Sequence, residues 1–283
     1  METHQDRYYL APPSHWPIMG SIALMLLAFG FVMQLNSISN STPVMLAGAA
    51  VLLAMLFGWF GTVIRESESG KYNEQVDLSF RWSMSWFIFS EVMFFAAFFG
   101  ALFYTRTISV PGLGSGETMA QLWPNFAASW PTAGPGLAAK FTPMEAWGIP
   151  AINTLLLLSS GLTVTWAHWG LKKDNRKQLV LGLFMTVALG VAFLLLQAYE
   201  YHEAYTHLGL TLDAGVYGAT FFMLTGFHGF HVTLGTIMLI VILFRSMVGH
   251  FKPSHHFAFE AVSWYWHFVD VVWLLLFVVV YWL

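Results

Sequence analysis

The 283-residue chain contains no cysteine. Disulfides, thiolate zinc sites, iron–sulfur clusters and a cysteine-ligated copper centre are therefore excluded within it. Charge is also scarce. Only 10% of residues are Asp, Glu, Lys or Arg, against about 25% in an ordinary soluble domain. The net charge is −3 and the basic residues fall in short clusters, so there is no basic face for nucleic acid. No sustained two-residue alternation is present, which argues against a membrane β-barrel. No internal repeat is visible.

The chain is 57% hydrophobic and 17% aromatic. One soluble core cannot hide that much apolar surface, so the composition points to a membrane protein. Seven stretches reach the roughly 20 apolar residues that a spanning helix needs: about 16–35, 43–64, 82–105, 147–170, 179–201, 216–244 and 261–283. The leader before the first (METHQDRYYLAPPSH) is mixed in charge, and no small-residue cleavage site follows a short core. That run is expected to be a retained helix rather than a signal peptide, with Pro17 in its first turn.

Lys and Arg divide unevenly between alternate loops. Ten fall in the N-terminal tail and the 65–81, 171–178 and 245–260 loops, and two, Arg106 and Lys140, fall on the other side. The positive-inside bias then places the N-terminus inside and the C-terminus outside. The expected organisation is a cytoplasmic tail over 1–15, two helices over 16–64, an inner loop over 65–81 and five helices over 82–283. An outer loop covers 106–146. Its "VPGLGSGE" and "WPTAGPG" read as irregular chain. The polar 65–81 linker makes bundles of two and five helices plausible.

Within this apolar chain a few polar groups stand out. "SWFIFSEVMFFAAFFGALF", residues 85–103, holds one charge, Glu91. It lies ten residues past Arg81, about 15 Å along a helix and in mid-hydrocarbon. Such an acid is expected to be protonated or hydrogen-bonded. A proton-relay or interface role and a packing role both stand. "GFHGFH" puts His228 and His231 on one helical face, as metal or haem ligands or as interhelical hydrogen-bonding groups beside glycines. One such pair is too few for most metal sites. "WYWHFVD" puts His267 and Asp270 at i and i+3, as a structural polar pair or part of a proton path. "LLQAYEYHEAYTH" gathers Glu200, His202, Glu203 and His207. It lacks the Glu-x-x-His spacing of di-metal carboxylate sites and reads as a wet helix end. His168 and the pair His255–His256 fall near other helix ends. Trp59 belongs to an interfacial belt. Arg65 and Glu66 lie just past it, and Arg245, His250, Lys252 and His255 share that depth. Basic groups there either bind phospholipid headgroups or act as plain anchors.

Longer motifs carry a resemblance. They are "SHWPIMGS", "VIRES", "SEVMFFAAFF", "NTLLLLSSGLTVTWAH", "LLQAYEYHEA", "GVYGATFFMLTGFHGFHVTLGT" and "HHFAFEAVSWYWHFVDVVWL". With these the chain resembles subunit III of haem–copper cytochrome c oxidase of the aa3 type, along nearly its whole length. The resemblance implies a non-catalytic core subunit of the aerobic respiratory chain, with no catalytic residue and no metal of its own. Haem a, haem a3 and copper are expected in partner subunits. It further implies packing on subunit I, with subunit II in the same complex, and support of proton uptake and sustained turnover. A V-shaped cleft between the two-helix and five-helix bundles would hold phospholipids. Carried over residue by residue, the buried protonatable acid of the third helix is Glu91. Lipid contacts fall on Trp59, Glu66, His231, Arg245, His250 and His255. Phe60, Gly61, Gly100, Lys71 and Tyr72 depart from the family pattern. The 106–146 loop is longer than in mitochondrial relatives, which points to a bacterial inner-membrane protein.

Two other classes compete. A stand-alone transporter or proton channel often has inverted repeats and broken helices near the midplane, and neither is seen. Subunit III of a quinol oxidase typically lacks the first two helices, and their presence favours cytochrome c as donor.

Overall fold

The computed structural model describes residues 9–124, 126–137 and 140–283. Arg7, counted above with the tail, lies outside the described residues. Among the described residues there is no strand, and one isolated antiparallel bridge joins Lys252 and His255. Seven helices are long and apolar enough to cross a membrane. They are α1 (Trp16–Leu35), α2 (Ser41–Glu68), α3 (Glu74–Tyr104), α4 (Ile149–Lys172), α5 (Arg176–Thr206), α6 (Val216–Val248) and α7 (Phe257–Leu276). Wider π-type turns extend two of them. Thr105–Ser109 carries α3 into a last helical turn, Val110–Leu113, and Phe277–Trp282 completes α7. Helices are the expected solution, because in hydrocarbon every backbone N–H and C=O must find its partner within the segment.

The spans are the expected ones, but most ends differ. An apolar window stops at the first charge, whereas a helix continues into the headgroup region as long as its backbone bonds close. "RESE" thus extends α2, "EQVDLSFR" opens α3, and the linker shrinks to residues 69–73. The start of the 106–146 loop is helical to Leu113, and a short helix covers Glu117–Leu122. From Glu74 to Leu113 the third span runs 40 residues, about 60 Å and twice the hydrocarbon thickness.

The chain forms two compact units, Met1–Phe80 and Arg81–Leu283. In the first, α1 lies along α2. Gly48 permits the approach, since a Cβ there would come within 2.9 Å of the Leu27 nitrogen. Close backbone packing at small residues is how helices associate without a hydrophobic drive. In the second unit α4 packs on α5, α5 on α6, α6 on α7, and α7 returns to α4. The core centres on α7. Of its apolar window 61% is buried, against 11% for each of the first three spans. Trp266 and Trp273 are enclosed there. Their indole N–H groups donate to Ser160 Oγ at 2.8 Å and Thr154 Oγ1 at 2.9 Å, both on α4. A buried indole needs such a partner. Leu24 and Phe57 in the first unit, and Trp86 and Phe89 in the second, are exposed, apolar surface that suits lipid as its solvent.

Candidate functional site

Glu91 on α3 meets His231 on α6. Glu91 Oε2 lies 2.9 Å from His231 Nε2, and His231 Nδ1 lies 2.6 Å from the Phe227 carbonyl oxygen. A carbonyl only accepts, so Nδ1 carries a hydrogen and donates it. Nε2 then either accepts from a protonated Glu91 or, in an imidazolium, donates to a carboxylate. Both arrangements are neutral overall and differ by the place of one proton. Phe95, Phe94, Phe230, Tyr265 and Phe268 have ring centroids 5.0 to 6.4 Å from that of His231. Such apolar walls strengthen the bond and penalise separated charge. The Glu91 side chain is 22% exposed and that of His231 9%. The acid therefore sits at the rim of the second unit, with its partner behind it.

The two histidines of "GFHGFH" have different surroundings. Both nitrogens of His231 are engaged. His228 is enclosed, stacked on Trp273 at 5.2 Å and edge-on to Phe193 at 5.9 Å. His267 Nδ1 and Asp270 Oδ2 are 3.7 Å apart, beyond hydrogen-bond range. His267 Nε2 reaches Thr165 Oγ1 instead, at 3.3 Å. Asp270 lies against α4 where Gly161 leaves room, since a Cβ there would come within 2.6 Å of Asp270 Oδ2. The pair is a joint between α7 and α4.

Glu200 corrects the reading of its segment as a wet helix end. Its residue is fully buried, accepting from Tyr281 Oη at 2.7 Å and from Gln197 Nε2 at 3.4 Å. The exposed end begins at His202. Sequence spacing missed this because Tyr281 comes from the far end of the chain.

The other expected lipid residues divide between the units. In the first, Trp59 is exposed. Glu66 Oε2 accepts from Tyr72 Oη at 2.9 Å, and burial together with that carboxylate pushes the Tyr72 phenol well above its ordinary pKa. In the second, the Arg245 guanidinium lies 4.6 Å over the Phe251 ring, and the His250 backbone N–H donates to the Arg245 carbonyl at 3.1 Å. His255 is exposed, with Nδ1 2.5 Å from the Ser254 carbonyl oxygen. His231 and Arg245 are fourteen residues apart on α6, about 21 Å along the axis. They are two separate places, one deep and one at the helix end. At that end Arg81 forms an ion pair with Glu260, and His168 and His256 approach the same carboxylate.

Residues 6–283 match the family described as Cytochrome c oxidase subunit III. The chain belongs to the cytochrome c oxidase subunit III family. Relatives named Cytochrome c oxidase subunit 3 from Tragelaphus oryx and Gazella bennettii are 42% identical over 282 residues, covering 99% of this chain and 98% of each relative. The one from Gazella leptoceros is 41% identical over the same length. Subunit III is a multi-pass membrane component of an oxidoreductase complex that holds other oxidase subunits.

Of the residues singled out in this subunit III, Glu91 and His231 touch, Glu66 is held by Tyr72, and Arg245 is seated on Phe251. The grouping of His168, His256 and Glu260 was missed, although "HHFAFE" places His256 and Glu260 at i and i+4, one turn apart on one helical face.

Proposed function

We propose that the chain is the non-catalytic core subunit of a bacterial aa3-type cytochrome c oxidase of the inner membrane, in the reduction of oxygen to water during aerobic respiration. It packs on subunit I, with subunit II in the same complex, and its N-terminus faces the cytoplasm. Haem a, haem a3 and copper belong to the partner subunits. This chain supplies retained phospholipids, proton uptake and sustained turnover. The observation that carries the reading is the Glu91–His231 pair, a protonatable couple on apolar helices in a chain that matches subunit III over residues 6–283. The ten-to-two division of Lys and Arg supports the orientation. Trp59, Glu66, Arg245, His250 and His255 are the lipid residues of the helix ends, and His231 lines the deep part. The long outer loop and the first two helices support bacterial origin and a cytochrome c donor.

The test is purification of the chain from its native membrane in mild detergent. A reduced-minus-oxidised spectrum and mass spectrometry then identify what comes with it. A haem a signal with subunits I and II is the expected result. A haem-bearing complex without a copper-binding subunit II would move the donor to quinol. A colourless protein would overturn the oxidase role and turn attention to transport through Glu91, His267 and Asp270.

A further inference from the structure

At one end of the second unit, where α4 finishes and α7 begins, three side chains converge. His256 Nε2 lies 3.2 Å from Glu260 Oε1, and His168 Nε2 lies 3.5 Å from the same oxygen. All three atoms lie within 4.8 Å of one another. The His256 side chain is more than nine-tenths buried. Neither Nε2 makes a hydrogen bond of acceptable geometry among the described residues.

Tautomer logic sharpens the point. His256 Nδ1 lies 3.1 Å from the Lys252 carbonyl oxygen. The carbonyl can only accept, so Nδ1 bears the hydrogen and Nε2 of the neutral ring presents a lone pair. That lone pair faces a carboxylate oxygen. Two acceptors so close repel unless something positive lies between them. Arg81 does not fill the gap, because it pairs with the other oxygen, Oε2. It fixes the carboxylate and leaves Oε1 aimed at the two imidazoles.

We propose that His168 Nε2, His256 Nε2 and Glu260 Oε1 bind a divalent transition cation of the zinc type. Two imidazole nitrogens and one carboxylate oxygen are a zinc ligand set that leaves a fourth position for water. A tetrahedral shell with bonds of about 2.0–2.1 Å has edges of about 3.3–3.4 Å. The two distances to Oε1, 3.2 and 3.5 Å, bracket that edge. The Lys252 carbonyl and Arg81 are the outer partners that orient ligands in such sites. The cation would tie the end of α4 to the start of α7. One carboxylate already facing Arg81 offers little net negative charge, so the ion exchanges rather than staying as a permanent structural metal. The rival occupant is a proton, which would turn His256 into an imidazolium donating to Glu260.

Zinc content separates the two. The purified complex containing this chain is stripped with chelator and dialysed against zinc, then analysed for metal per copy of the chain. His168→Gln and His256→Gln should each lose one zinc relative to the wild type, and His255→Gln, at the exposed neighbour, should lose none. Equal zinc in wild type and both ligand variants would overturn the site and leave the proton as occupant. Should the variants fail to assemble, zinc-edge X-ray absorption on the wild type, loaded minus stripped, decides. Two imidazoles and oxygen at about 2.0–2.1 Å support the site, and an imidazole-free oxygen shell overturns it.

Discussion

His231 Nε2 stands 2.9 Å from Glu91 Oε2. The ring's Nδ1 is committed to the Phe227 carbonyl at 2.6 Å, so the contact to Glu91 is made through Nε2. Glu91→Gln keeps a hydrogen-bonding group of the same length and removes the acid. The variant should assemble normally and alter turnover lifetime or proton uptake only modestly. Glu91→Ala instead strands His231 Nε2, and thermal unfolding of the complex should lose about 1–3 kcal/mol. A fully assembled Glu91→Gln enzyme with no oxygen reduction would refute this supporting role.

The Arg245 guanidinium is seated 4.6 Å over the Phe251 ring. Arg245→Ala should lower the phospholipid retained by the purified complex and shorten its active life. Phe251→Leu should have a weaker effect in the same direction, since the guanidinium remains without its aromatic seat. Native mass spectrometry that finds unchanged lipid in Arg245→Ala would reduce the residue to a positive anchor.

The Arg81–Glu260 ion pair ties α3 to α7 across 179 residues of sequence. Its side chains are 33% and 11% exposed, between a surface pair and a buried one. Removing either charge should cost about 2 kcal/mol, and removing both should cost less than the sum. A double-mutant cycle on thermal stability of the complex measures the coupling, and strict additivity would show that the pair contributes nothing.

Tyr281→Phe deletes the hydroxyl that donates to enclosed Glu200 at 2.7 Å. The carboxyl is left with Gln197 alone, and stability should fall by about 1–3 kcal/mol. Glu200→Gln on top of Tyr281→Phe should recover part of that loss, because an amide is less costly to enclose than an acid. Chemical denaturation of the wild type and the two variants ranks them.

The seven spans were legible because a membrane helix must be continuously apolar, and that requirement is written residue by residue. Their ends were not, since the charges of "RESE" and "EQVD" end an apolar window without ending a helix. Glu91 announced itself as a lone acid among phenylalanines. Its partner did not, because which face of α6 meets α3 is decided by packing among α5, α6 and α7. The neighbours His255 and His256 looked equivalent. The turn before α7 sends the first outward and the second towards Glu260, a difference that only the backbone path creates.

The neutral Glu91–His231 pair also bears on how the subunit experiences an energised membrane. A proton crossing that bond moves at most 2.9 Å, about a tenth of a hydrocarbon layer of roughly 30 Å. Carrying one charge through the whole layer against 100 mV takes about 2.3 kcal/mol, so this step feels about 0.2 kcal/mol, well below thermal energy. Infrared bands of the pair recorded in vesicles with and without an imposed potential should superimpose. A transmembrane voltage leaves this proton where local chemistry puts it.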